Sequence, residues 1–96
     1  MPTRLTAKER EIAELLAEHG ASTGWALVEA SEGTLKRGTV YVTLSRMADK
    51  GLVTAEVQDR PEGQSGPLRR YYALTKLSVA LLRIERELDA LTPELA

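Results

Sequence analysis

The chain has no cysteine and no phenylalanine, and only one tryptophan and three tyrosines among its 96 residues. Without cysteine there is no disulfide, no thiol nucleophile and no thiolate metal site, which fits a reducing compartment. Histidine is nearly missing as well. His19 stands alone at the expected C-terminal end of a helix, where the macrodipole favours an imidazolium, so helix capping is its expected role. With no second histidine and with scattered acids, neither a metal set nor a nucleophile and base constellation can be assembled, and an enzyme is not expected. No apolar run approaches the roughly 18 residues of a membrane span, and Met1-Pro2-Thr3-Arg4 leads into no signal-type apolar segment. The expectation is a cytoplasmic protein that needs neither metal nor cofactor.

What is present is an ordinary globular composition, 43% hydrophobic and 28% charged. A chain of this length forms one domain and buries about two-thirds of its unfolded surface, so a partner subunit is a natural source of further stability. The net charge of −1 is unevenly spread. From Thr34 to Lys76, eight Lys or Arg face four acids, a net +4, while residues 1–33 carry −3 and residues 77–96 carry −2. A fold that gathers the middle segment onto one face acquires an electrostatic orientation.

Along the chain, Thr6 followed by Glu9 forms a capping box, Ile12, Leu15, Leu16 and His19 recur at helical spacing, and Gly20 supplies a stop. The first helix is therefore predicted from about Ala7 to His19. Ser22 or Thr23 can cap a second, shorter helix through Ala30, ended by Ser31-Glu32-Gly33. A third helix is predicted from near Lys36 to Gly51, with Val40, Leu44 and Met47 on one face and Gly38, Thr39, Val42, Ser45, Arg46 and Asp49 roughly opposite. The short link between the second and third helices suits a helix-turn-helix corner.

After Gly51 the period changes to two. Val53, Ala55 and Val57 alternate with polar residues in a predicted half-buried strand from about Leu52 to Gln58, and Leu68, Arg70, Tyr72 and Leu74 mark a returning strand, with Tyr72 expected in the core. Between them Asp59 to Pro67 reads as a loop, the tip of a wing. Thr75 can cap a last helix in which Leu77, Leu81, Ile84, Leu88 and Leu91 step by 4, 3, 4 and 3, a heptad seam. Pro93 biases Thr92 out of the helix, so the seam is expected to end there.

The architecture implied is mainly α with a small β-hairpin: a winged helix-turn-helix over residues 1–75, a C-terminal dimerisation helix over 76–92 and a tail over 93–96. A charged helix beside a basic hairpin suits double-stranded DNA, one element entering the roughly 12 Å major groove while another holds phosphates. On the third helix Lys36, Arg37, Thr39, Val42, Ser45 and Arg46 are the candidate contacts: hydroxyls and Arg can reach base edges, and Val42 can lie against a thymine methyl. The alternative for each is a solvated helix face, and Arg46 can instead pair with Asp49. Tyr41, between the core and outward faces, can donate to a phosphate or pack against the wing. Arg69 and Arg70 point to opposite sides of their strand, so at most one is expected to face inward; phosphate contact from the wing is the expected role, with simple solvation as the alternative. The seam of Leu77, Leu81, Ile84, Leu88 and Leu91 must be covered, and two copies can cover each other there or pack it against the first helix of the partner.

The run Arg37-Gly38-Thr39-Val40-Tyr41-Val42-Thr43-Leu44-Ser45-Arg46-Met47-Ala48-Asp49-Lys50-Gly51-Leu52-Val53, followed by Arg69-Arg70-Tyr71-Tyr72-Ala73-Leu74-Thr75, resembles the PadR family of bacterial transcriptional regulators. That family shows a Gly-x-hydrophobic-Tyr-Pro-x-Leu-x-Arg-Leu helix, a Gly-Leu-hydrophobic exit and a Tyr-Tyr-x-Leu-Thr strand end. The likeness covers about Leu5 to Leu88, with Gly24-Trp25 matching the family's Gly-Tyr. Val42 departs from the family's proline, Trp25 from its tyrosine, and Lys76-Leu77-Ser78 from its Glu-Glu-Gly.

The resemblance implies a homodimeric regulator, a repressor by expectation, that binds an inverted repeat, with Tyr41 on a phosphate. Relatives also sense planar aromatic molecules, which makes an aromatic small-molecule effector a further expectation. Trp25, without any phenylalanine nearby in sequence, offers a poor stacking platform, and core or interface packing is its expected role. Two rival readings stand beside this one. The first is a winged-helix protein-interaction module, an adaptor or antirepressor, and the second is a sensor whose main activity is capture of an aromatic ligand.

Overall fold

The computed structural model describes residues 4–58 and 69–95. Within them the order is α1 (Ala7–His19), β1 (Ser22–Thr23), α2 (Gly24–Ala30), α3 (Arg37–Asp49), β2 (Val53–Gln58), β3 (Arg69–Leu74) and α4 (Lys76–Leu95). This is the winged helix-turn-helix architecture that the sequence predicts. The expected loop at the wing tip and Leu68 lie outside the described residues.

Local chemistry sets the helix ends. The Glu9 N–H donates to Thr6 Oγ1 at 3.2 Å and the Thr6 N–H donates to Glu9 Oε1 at 2.8 Å, closing the capping box that starts α1. Gly20, at φ 79°, ends it. Of the two caps open to α2, Thr23 is used, accepting from the Ala26 N–H at 3.1 Å. The corner between α2 and α3 is held by Ser31, whose hydroxyl donates to the Val28 carbonyl at 2.7 Å and accepts from the Leu35 N–H at 3.1 Å.

One core joins all the layers. Ile12, Ala13 and Leu16 of α1, Leu27 of α2, Val40, Leu44 and Met47 of α3, Leu52, Val53 and Tyr72 near the sheet, and Leu82 of α4 are all buried. The predicted inner face of α3 and the core position of Tyr72 are thus found where periodicity put them.

The wing departs from expectation in two ways. β3 is central, flanked by β2 and by the short β1, which pairs Ser22 with Tyr72 and Thr23 with Tyr71. Two residues carry no period, and only the partner strand makes them a strand. In addition, β2 is not half-buried along its length: Val53 is buried, but Ala55 is exposed and Val57 is 50% exposed. In register Val53 faces Leu74, Ala55 faces Tyr72 and Val57 faces Arg70. The hairpin outruns the core beneath it, so its inner face opens to solvent at the Val57 and Arg70 pair.

Thr75 caps α4 as predicted, accepting from the Ser78 N–H at 3.3 Å, and also donates to the Gly51 carbonyl at 2.8 Å. The helix does not end at Thr92, as the sequence predicts, but runs through Pro93 to Leu95. A proline this near a helix end removes a single hydrogen bond from the ladder and leaves the preceding turns intact. α4 has two working faces. Ser78, Leu82 and Glu85 are buried against the domain, where Glu85 accepts from the Leu5 N–H at 3.2 Å, and Arg10 pairs with Asp89 and Arg86 with Glu14. Leu77, Ile84, Leu88 and Leu91 are exposed on the adjacent face, and Leu81, partly buried against the core, lies between the two. No helix among the described residues is long and apolar enough to cross a membrane.

Candidate nucleic-acid interface

α3 is amphipathic because its inner positions fill the core, and this leaves Lys36, Arg37, Val42, Ser45 and Arg46 exposed and Thr39 half-exposed on one outward surface. Val42 is among the exposed large hydrophobic residues. Among the described residues, no acid pairs with Lys36, Arg37, Arg46, Arg69 or Arg70; the pairing of Arg46 with Asp49 is not formed. Lys36 caps α3 through its backbone alone, with no side-chain hydrogen bond. The N–H groups of the first turn therefore point out beside two cations, at the positive end of the helix dipole.

A groove lies on each side of α3. The first, of about 720 Å³, runs between α3, the start of α2 and the inner face of the hairpin, and is bordered by Trp25, Arg37, Tyr41, Val57, Arg69 and Arg70. Tyr41 is one of its lining residues. A Cβ on Gly24 would lie 2.7 Å from Tyr41 Cε1, so the phenol ring rests directly on the glycine backbone. The Arg37 guanidinium sits over the same ring at 5.9 Å from its centroid, a cation–π contact. Tyr41 thus packs against α2 and remains 41% exposed to the groove. Both Arg69 and Arg70 are exposed and both border this groove, although their side chains alternate along β3.

The second groove, of about 630 Å³, runs between α3 and the start of α1, bordered by Lys8, Thr39, Val42 and Arg46. Lys50 and Glu9 line it as well. Lys50 Nζ lies 2.7 Å from Glu9 Oε2, and the Glu9 side chain is 2% exposed. Burial alone would push the Glu9 carboxyl up, but hydrogen bonds from Lys50 and from Thr6, with the Lys50 charge, hold it below the ordinary carboxylate value. Lys50 is therefore committed to an internal pair, and the positive middle segment offers one cation fewer to a partner than its sequence count.

The structure thus brings Arg37, Tyr41, Arg69 and Arg70 to one groove and Thr39, Val42 and Arg46 to the other, while Lys36 and Ser45 are exposed and border neither. Lys8, Val57 and Trp25 also border the grooves, outside the candidate DNA contacts read from the sequence. Lys8 belongs to an acidic stretch and reaches the surface only because α1 starts beside α3. Val57 reads as an inward strand position, and only the end of the core beneath it exposes it. Trp25 was expected in a core or interface; it is not core, being 57% exposed on the groove wall. Among the described residues no cluster of His, Cys, Asp or Glu could hold a metal ion.

Residues 11–80 match the transcriptional regulator PadR-like family. No curated protein matches the sequence. Among solved structures, the chain is similar to a PadR family transcription regulator from hypervirulent Clostridium difficile R20291, at 24% identity and a TM-score of 0.73, over 95% of this chain and 100% of that one. It is also similar to diamide-treated YodB from B. subtilis, at 19% identity and a TM-score of 0.77, over 93% of this chain and 81% of that one. A third is Bordetella bronchiseptica BpsR, whose DNA binding is regulated by 6-hydroxynicotinic acid, at 19% identity and a TM-score of 0.68, over 97% of this chain and 61% of that one. At these identities the likeness is one of fold.

Proposed function

We propose that this chain, which belongs to the PadR-like family of transcriptional regulators, binds double-stranded DNA as a homodimer and represses transcription by occupying an inverted repeat. α3 enters the major groove, where Thr39, Ser45 and Arg46 read base edges and Val42 meets a thymine methyl. Lys36, Arg37, Tyr41, Arg69 and Arg70 hold phosphates on the wing side, and Lys8 holds them on the α1 side. The observation that carries this reading is the cationic outward face of α3 with an arginine-bordered groove beside it, whose cations have no acidic partner among the described residues. Lys36 and Arg37 also stand at the helix end where cations are least favoured, and a phosphate between them offsets that cost. The exposed Leu77, Ile84, Leu88 and Leu91 of α4, with Leu81 at their margin, form the surface by which two copies join.

The test is titration of the protein against duplex from its own upstream region at several salt concentrations. Each phosphate neutralised contributes about −0.9 to the slope of log affinity against log salt. Lys36, Arg37, Arg69 and Arg70 together with Lys8 predict a steep negative slope. A flat response, or no binding, overturns the reading. An aromatic small-molecule effector is the second reading, favoured by the exposure of Trp25 beside Tyr41 and by the part that 6-hydroxynicotinic acid plays for BpsR.

A further inference from the structure

We infer that the groove between α2, α3 and the hairpin seats the sugar-phosphate backbone of one DNA strand, with Trp25 and Val57 as an apolar floor under the deoxyribose rings and Arg37, Arg69 and Arg70 holding the flanking phosphates. This rests on the DNA-binding reading above and adds to it Trp25 and Val57, two contacts outside the outward face of α3. Both are large apolar side chains left 57% and 50% exposed in the same groove. Trp25 is the chain's single tryptophan, and leaving its face in water forgoes the gain of burying it.

Charge selects the occupant. Three guanidinium groups border the groove, no acidic side chain among the described residues does, and Arg37 is steadied over the Tyr41 ring. A nucleic-acid backbone combines anionic phosphates with apolar sugar rings, and the groove lining offers both guanidinium groups and apolar side chains to meet them. An aromatic acid is the competing occupant, but sites for small ligands enclose most of the ligand surface. Here Trp25, Tyr41 and Val57 are each about half exposed, so the floor stays open along one side. An open channel suits a continuous strand.

Because the chain has one tryptophan, its emission reports on this groove alone. Binding of a labelled duplex is followed by anisotropy, and acrylamide quenching of Trp25 is measured with and without saturating duplex. The expected result is a several-fold fall in the quenching constant in the complex. Trp25→Ala, with folding checked by circular dichroism, is expected to raise the Kd for specific and random duplex alike by about tenfold, the worth of drying one indole face. Its salt slope stays unchanged, because tryptophan neutralises no phosphate.

Duplex binding with an unchanged quenching constant, or unchanged affinity in the variant, overturns the inference and leaves the DNA-binding reading standing. Absence of duplex binding overturns both. Saturable quenching of Trp25 by micromolar 4-hydroxybenzoate, without protection by duplex, overturns the inference in favour of a small-molecule site. Should Trp25→Ala fail to fold, the quenching of the unaltered protein decides.

Discussion

At Gly24 a missing side chain decides where a functional one lies. The glycine is buried under Tyr41, and an added Cβ would meet Cε1 at 2.7 Å and Cζ at 2.8 Å, well inside contact distance. The ring must then move, and with it the guanidinium of Arg37 that lies over it. Gly24→Ala is expected to cost about 1–3 kcal/mol as an overpacked contact and to weaken duplex binding. In Gly24→Ala/Tyr41→Ala the crowding is gone, so most of the stability returns while the binding does not. Urea unfolding of the two single variants and the double variant forms the test, and strictly additive losses would show that the two residues do not share one contact. The helical period places Tyr41 between two faces and leaves its partner open; that the partner is Gly24 depends on how α2 crosses α3, which neither helix encodes alone.

Among the elements, those whose ends are set by neighbouring residues are the ones legible in sequence. The Thr6 and Glu9 box, the Gly20 stop, the Thr23 and Thr75 caps and the inner face of α3 are local, and they stand where the residues put them. β1 and the exposed end of β2 are set from across the sheet, and no local period carries them. The tie between α1 and α3 is of the second kind. Glu9 belongs to the capping box of one helix and takes Lys50 from the end of the other. With the Glu9 carboxyl lowered in the folded chain, its stabilisation is complete above the unfolded value of about 4.3 and is lost as pH falls through the lower folded value. Glu9→Gln keeps the capping geometry and removes the charge. It is expected to cost about 1 kcal/mol at pH 7, a figure reduced by the part-exposure of Lys50. Between pH 7 and pH 3.5 the variant should then lose less stability than the unaltered chain. Equal losses in urea unfolding at the two pH values would refute the role of the pair.

For the whole molecule, the proposed dimer turns on which face of α4 would meet a second copy. The leucine spacing marks one stripe in sequence, but Leu82, Ser78 and Glu85 look no different there from other helix positions, and it is they that dock α4 on its own domain. Glu85 bonds the Leu5 backbone, and Asp89 and Arg86 reach Arg10 and Glu14 of α1, so the angle at which α4 leaves the domain is fixed from within. In the proposed dimer the exposed stripe would set the distance between two α3 helices, which two-fold symmetry must hold about 34 Å apart to meet successive major grooves. Ile84 and Leu91, 51% and 53% exposed, test this because they contribute little to the fold of one chain. Ile84→Glu/Leu91→Glu is expected to sediment as a monomer at micromolar concentration, to keep the circular dichroism of the folded chain and to lose the concentration dependence of thermal unfolding that a dimer shows. A two-headed complex gains from tethering, since the second half-site is met at high effective concentration. The monomeric variant should therefore bind a full inverted repeat no better than a single half-site, whereas the unaltered protein prefers the full repeat by about 10²-fold or more. Dimeric sedimentation of the variant would move the interface elsewhere on the chain, and equal affinity of the unaltered protein for one and two half-sites would remove the dimer from DNA recognition.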